Sequence, residues 1–97
     1  MLETRKAKSL KVTVTENATE EKWVLQGPLK WPWVNQLRVD WRMARQTGQG
    51  RTRVVDLNEV TFVDEIGERM LRIMANQGAR FVATGMDMKR VLQRVAV

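Results

Sequence analysis

The sequence predicts a small α/β domain whose mixed, mainly parallel four-stranded sheet carries about three helices, in the order β-β-α-β-α-β-α. A length of 97 residues suits a single hydrophobic core. Two short apolar segments near the start flank a polar turn, and helical and strand patterns then alternate to the end of the chain. Strands separated by single helices run parallel through right-handed crossovers, whereas strands joined by a short turn pair antiparallel.

The first two strands form a predicted hairpin. Residues 10–15 (Leu-Lys-Val-Thr-Val-Thr) alternate apolar and polar side chains, which is the period of a half-buried strand. A polar turn over 17–20 leads to a second strand over 22–26, which Gly27 and Pro28 are expected to stop. The first strand should therefore lie at an edge of the sheet.

A first helix is predicted over residues 33–46. Pro32 suits the first turn of a helix, where its missing N–H donor is not needed, and Gly48 with Gly50 should end the helix. The predicted apolar stripe, which should face the sheet, consists of Trp33, Leu37, Trp41 and Ala44.

A third strand over residues 53–57 and a loop over 58–63 lead to a second helix. Asp64 is suited to cap this helix, and Gly78 to end it in a left-handed conformation. Two pairs, Glu65 with Arg69 and Glu68 with Arg72, have the i,i+4 spacing of weak ion pairs. The i, i+3 and i+4 spacing of a helix is followed by Ile66, Met70, Ile73, Met74 and Gln77.

The last two elements are a strand over residues 79–84 and a helix that Asp87 can cap. The apolar side of this helix consists of Met88, Val91, Leu92 and Val95. We expect one domain over residues 10–97, preceded by a flexible basic tail over 1–9. No apolar run has the length of a signal peptide or a membrane span, so we expect a cytoplasmic protein.

Composition limits the possible chemistry. The chain contains neither cysteine nor histidine, which removes thiol nucleophiles, thiolate metal sites and the usual general base. We therefore expect no cofactor and no enzymatic activity. The net charge of +6 raises the question of nucleic acid or another anion, for which the candidate residues are Arg38, Arg42, Arg45, Arg51 and Arg53.

Residues 54–67 (Val-Val-Asp-Leu-Asn-Glu-Val-Thr-Phe-Val-Asp-Glu-Ile-Gly) resemble the signature of the STAS domain family, which includes anti-sigma factor antagonists. That signature is an apolar strand ending in Asp-Leu, a turn, and an apolar residue before Asp-Ser-Ser-Gly or a variant at a helix start. The resemblance extends over residues 10–95, and its distinctive part is 64–67. It implies a STAS-like fold and a regulatory module that binds another protein.

The chain departs from the STAS pattern at the phosphorylation site. The Ser or Thr that accepts phosphate in regulated family members corresponds to Ile66, so we expect no phosphorylation at this position. Glu65 replaces the preceding residue, which is often serine, and supplies a permanent negative charge. A single carboxylate imitates a phosphoryl group only in part, because the latter carries about −1.5 to −2 charges.

The resemblance implies a partner-binding surface at the strand-to-helix corner and along the second helix. Trp31 should lie at the same end of the sheet, and tryptophan is common at interface anchors, although it could equally pack against the helix start. Trp23 and Trp41 are expected in the core. The candidate partner-binding residues are Trp31, Asp64, Glu65, Ile66, Gly67, Glu68 and Arg69.

Several partners remain open. Family members bind anti-sigma kinases, stress-signalling complexes or the ATPase subunits of ABC-type lipid transporters, and a homodimer is possible. The first alternative function is a regulatory subunit of such a transporter, and the second is weak nucleic-acid or anion binding through the basic surface. A less favoured alternative is an enzyme that uses Asp56, Asp64 and Glu65 with Mg²⁺ and a phosphorylated substrate.

Overall fold

The structure, a computed structural model, describes residues 9–47 and 50–95, with the side chains of 45–47 left out. Apart from Ser9, the predicted basic tail lies outside the described residues. So do Gly48, which was expected to help end the first helix, and the side chain of Arg45.

The element order is the predicted β-β-α-β-α-β-α, with the sheet order β1-β2-β3-β4. β1 pairs antiparallel with β2 at one edge, while the β2–β3 and β3–β4 pairs are parallel, which confirms the predicted fold class. The elements are β1 Lys11–Glu16, β2 Glu20–Leu29, α1 Val34–Thr47, β3 Thr52–Val63, α2 Glu65–Asn76, β4 Arg80–Val82 and α3 Met86–Val95.

The two central strands are longer than predicted. Gly27 and Pro28 do not stop β2, and the expected loop over 58–63 is the second half of β3. The register shifts twice along this pair, so that β3 carries the extra residues, and Gly27 adopts a left-handed φ of 99°. Pro28 is tolerated because β1 pairs only with 21–26 of β2, which leaves no ladder bond for proline to break on that side.

The core lies on one face of the sheet. Buried side chains alternate along β2, and all three helices contribute buried residues to the same cluster. The stripe of α1 begins with Val34 and not with the predicted Trp33, which precedes the helix and is partly exposed. Ile73 of α2 is also partly exposed. Among the described residues, the largest fully buried side chains are Trp23, Leu25, Leu29, Val34, Leu37, Trp41, Val55, Leu57, Met70, Leu71 and Met74.

The carboxyl-terminal elements differ slightly from prediction. β4 covers only Arg80–Val82, so residues 57–63 of β3 extend beyond its register with β4. α3 begins at Met86, which places Asp87 in the first turn instead of at the cap. The apolar side of α3 packs on the core as predicted. Gly78 follows α2 with a left-handed φ of 91°.

A buried ion pair joins the two central strands. Glu21, only 3% exposed, accepts hydrogen bonds from Nε of Arg53 at 2.9 Å and from Nε1 of Trp23 at 2.8 Å. Arg53 also donates to the carbonyl of Ala44 and lies over the ring of Trp41, 5.2 Å from its centroid. Trp23 and Trp41 meet edge to face at 5.1 Å. These contacts fasten the end of α1 to the sheet.

Within residues 9–47 and 50–95, the structure contains no helix with both the length and the hydropathy needed to span a bilayer.

Candidate functional site

The strand-to-helix corner is built around Asp64, the N-cap of α2. Its Oδ1 atom accepts a hydrogen bond from the backbone N–H of Gly67 at 2.7 Å, and its Oδ2 atom accepts one from the N–H of Trp31 at 3.0 Å. The carboxylate thereby satisfies a free donor at the helix start and lies at the positive end of the helix dipole. It also holds the loop between β2 and α1 against α2, which brings Trp31 to the corner.

Gly67 lets α2 approach the end of β2. A Cβ atom at this position would overlap the carbonyl oxygen of Leu29 and lie 3.0 Å from its carbonyl carbon. The same carbonyl oxygen accepts a hydrogen bond from the N–H of Asp64 at 3.3 Å. The two backbones therefore approach closely at Gly67, and no residue with a side chain fits there without movement.

The side chains of the corner divide into inward and outward groups. Ile66 is half-buried against the core, and Gly67 is buried. The side chain of Trp31 is 58% exposed, and Glu65 and Arg69 are exposed as well. The predicted ion pair between Glu65 and Arg69 is not formed, so the outward surface consists of an indole ring and two charged groups that have no partner among the described residues.

Glu68 faces α3 instead of the corner surface. Its carboxylate lies 3.1 Å from Nη2 of Arg94 and 3.3 Å from Nη2 of Arg72, which is the predicted i,i+4 pair. The hydrogen bond from Arg94, assisted by the positive charges of Arg94 and Arg72, holds the pKa of Glu68 below its ordinary value of 4.5. Glu68 therefore joins α2 to α3.

The candidate basic residues separate into paired and unpaired groups. Arg51 donates to the carbonyl of Asn17 and lies 3.4 Å from Glu16, and Arg53 is held in the buried pair described above. Arg38 and Arg42 are exposed and make no hydrogen bond or ion pair within the described part of the chain. They line a small groove between α1 and α2.

The candidate catalytic carboxylates have separate partners. Asp56 accepts a hydrogen bond from the N–H of Asn58 at 2.9 Å and lies 3.8 Å from Nζ of Lys22, while Asp64 is occupied at the corner. Across the described ranges, no three acidic side chains are grouped closely enough to hold a metal ion.

A wider cleft of about 480 Å³ lies between the second half of β3 and the start of α3. Its wall is mixed polar and apolar, and two of the lining residues, Phe62 and Met86, expose more than half of their surface. Asn58 closes one end by accepting hydrogen bonds from the N–H and the hydroxyl of Thr84. The cleft exists because β4 is too short to cover β3.

Comparison with solved structures identifies the architecture. The chain is similar to an uncharacterised protein of the DUF3478 family with a SpoIIAA-like fold, from Shewanella loihica PV-4, with a TM-score of 0.62 and 12% sequence identity over 97% of this chain and 82% of that one. The fold is SpoIIAA-like. It agrees with the resemblance to STAS domains found in residues 54–67. No protein-family model matches the chain, and no curated protein matches it significantly.

Two features of this SpoIIAA-like fold are not predicted from the sequence. The first is the Glu21–Arg53 pair. Glu21 lies two residues before Trp23 and four before Leu25, and this spacing was a signal that the three side chains share the inner face of the strand. The other is the groove beside Arg38 and Arg42. Its signal was the i,i+4 spacing of two arginines next to the apolar stripe of α1.

Proposed function

We propose that this chain is a non-catalytic regulatory module that docks a partner protein at the strand-to-helix corner, without phosphorylation there. The observation that carries the proposal is the arrangement of Asp64, whose two carboxylate oxygens are both used internally while Trp31 and Glu65 remain outward. The partner thus meets an ordered surface, because the N-cap position of α2 is already satisfied by Asp64.

Rigidity of the corner supports docking. The loop that carries Trp31 is fastened to α2 through Asp64, and α2 is seated on Leu29 through Gly67. A surface that is ordered before binding loses less conformational entropy on association. Asp64 and Gly67 therefore act as positioning residues, and the contact residues of the proposal are Trp31, Glu65 and Arg69.

An exposed tryptophan favours a protein partner. Large aromatic side chains dominate binding energy when a partner covers them, and Trp31 leaves 58% of its surface uncovered. Glu65 in the first turn of α2 adds a fixed negative charge beside it. An indole anchor next to a carboxylate suits a partner with an apolar pocket and a basic residue at its rim.

Ile66 argues against a phosphorylation switch at this corner. It has no hydroxyl group, and its side chain is turned partly into the core. Glu65 instead supplies a permanent negative charge, which is smaller than that of a phosphoryl group. Binding would then not depend on phosphorylation of the corner. The proposed partner is cytoplasmic: an anti-sigma kinase-like protein, a stress-signalling complex or a transporter ATPase subunit.

Charge reversal at Glu65 tests the proposal. Proteins from the native host that co-purify with the wild-type chain should be lost from Glu65→Lys and from Trp31→Ala. The matched control is Asp87→Lys, since Asp87 is likewise exposed in the first turn of a helix and the charge change is the same. Retention of the partner by Glu65→Lys and Trp31→Ala, or equal loss from Asp87→Lys, would contradict docking at the corner.

A further inference from the structure

The groove between α1 and α2 combines an apolar floor with a basic rim. Its floor is formed by Trp41 and Met70, both fully buried, and by Ile73, which is partly exposed. Gln77 closes one end, where its Oε1 atom accepts a hydrogen bond from Nε1 of Trp41 at 2.6 Å. The volume is about 120 Å³, which suits the insertion of side chains from a partner. We call this region the α1–α2 groove.

Among the described residues, none neutralises the positive charge of the rim. Arg38 and Arg42 lie one turn apart on α1 and line the groove without a partner among the described residues. The single acidic residue of α1, Asp40, accepts a hydrogen bond from Gln36.

We propose that the α1–α2 groove binds an acidic amphipathic helix of a partner protein, with apolar side chains on Ile73, above the buried Trp41 and Met70, and carboxylates on Arg38 and Arg42. Guanidinium groups match carboxylates in charge and in planar, bidentate geometry. An amphipathic helix offers apolar and acidic groups at the i, i+3 and i+4 spacing that this groove presents. The inference rests on the proposed role as a protein-binding module, and it specifies the bound segment of the partner as acidic, amphipathic and helical.

The apolar surface favours a protein over a nucleic acid. Phosphates would satisfy Arg38 and Arg42 but would leave Ile73 uncovered. Val39 and Met43, which follow these arginines on α1, are at least half exposed and add apolar surface to the same helix. A partner helix covers apolar and charged groups together, and such burial supplies most of the affinity while the arginines set orientation and specificity.

Peptide display provides the test. A library of helical peptides is selected against the full chain, and a selected peptide is labelled and titrated by fluorescence anisotropy. Selected sequences should carry Asp or Glu at i,i+4 beside Leu, Ile or Phe. The double variant Arg38→Glu with Arg42→Glu should bind about ten-fold or more weakly. The control is Arg80→Glu with Arg90→Glu, which changes the net charge equally at two exposed, unpaired arginines outside the groove.

Three outcomes would overturn the inference: selected peptides without acidic residues, no selected peptide at all, or equal loss from both double variants. Duplex DNA and phosphatidylglycerol vesicles are titrated in parallel. If either bound through Arg38 and Arg42 while acidic peptides did not, the groove would be a phosphate site. Peptide binding should survive Glu65→Lys, so failure of the corner and failure of the groove are separate results.

Discussion

Gly67 of α2 lies so close to the carbonyl group of Leu29 that the two backbones leave no room for a side chain between them. Gly67→Ala therefore forces α2 away from the end of β2. We expect destabilisation of about 1–3 kcal/mol, as for other overpacked sites, measured by urea unfolding. Gly85→Ala is the control, because a Cβ at Gly85 meets no atom within 4 Å. Equal effects of the two substitutions would contradict the close approach.

Asp64 should contribute through two separable hydrogen bonds. Asp64→Ala removes both and should lower the free energy of unfolding by about 1–2 kcal/mol. Asp64→Asn keeps an acceptor for the N–H of Gly67 but loses the one for Trp31. Its free energy of unfolding should therefore lie between those of wild type and Asp64→Ala. The amide proton of Trp31 should then exchange faster with solvent. An unchanged exchange rate in Asp64→Asn would show that the loop is held by other contacts.

Removal of Arg53 should be far more damaging than removal of Arg51. Arg53→Ala leaves the carboxylate of Glu21 buried without its charge partner, which should lower the free energy of unfolding by about 3 kcal/mol or more. Arg51→Ala breaks an ion pair with the exposed Glu16 and should change the free energy of unfolding by less than about 1 kcal/mol. Thermal or urea unfolding distinguishes the two, and similar losses would contradict the difference in burial.

Glu68 should make the contact between α2 and α3 sensitive to acid. Because its pKa is lowered in the folded chain, its contribution to stability is present above the ordinary value of 4.5 and disappears as pH falls through the lowered pKa. Wild type should therefore exceed Arg94→Gln in stability near neutral pH, and the difference should vanish in strong acid. An NMR titration of the Glu68 carboxyl group should show its pKa rising in Arg94→Gln, with a smaller rise in Arg72→Gln. A difference independent of pH would assign the effect to packing.

Sequence analysis predicted the fold where the deciding chemistry is local. Asp64 as a cap and the left-handed turn at Gly78 follow from short-range backbone requirements, and the order of strands and helices follows from periodicity. The second half of β3 was missed, since the polar residues Asn58 and Glu59 are typical of a turn. Parallel pairing with β2 nevertheless extends the strand through them.

The candidate site was predictable only in part, because partners in space decide which side chains are available. Arg38, Arg42, Arg51 and Arg53 were all candidates in the sequence. The register of β2 with β3 places Arg53 beside Glu21, whereas Arg38 on α1 has no partner among the described residues. In the same way, Glu65 and Glu68 are neighbours on one helix, and the position of α3 alone determines that Glu68 is engaged by Arg94.

The placement of the four tryptophans gives the molecule two independent optical reporters. Trp23 and Trp41 are in contact inside the core and are shielded from water, so their emission follows unfolding. Trp31 and Trp33 are accessible and should be the first to be quenched by acrylamide. A ligand that covers the corner would protect this second pair and leave the first unchanged, which allows docking and denaturation to be followed in one unlabelled sample.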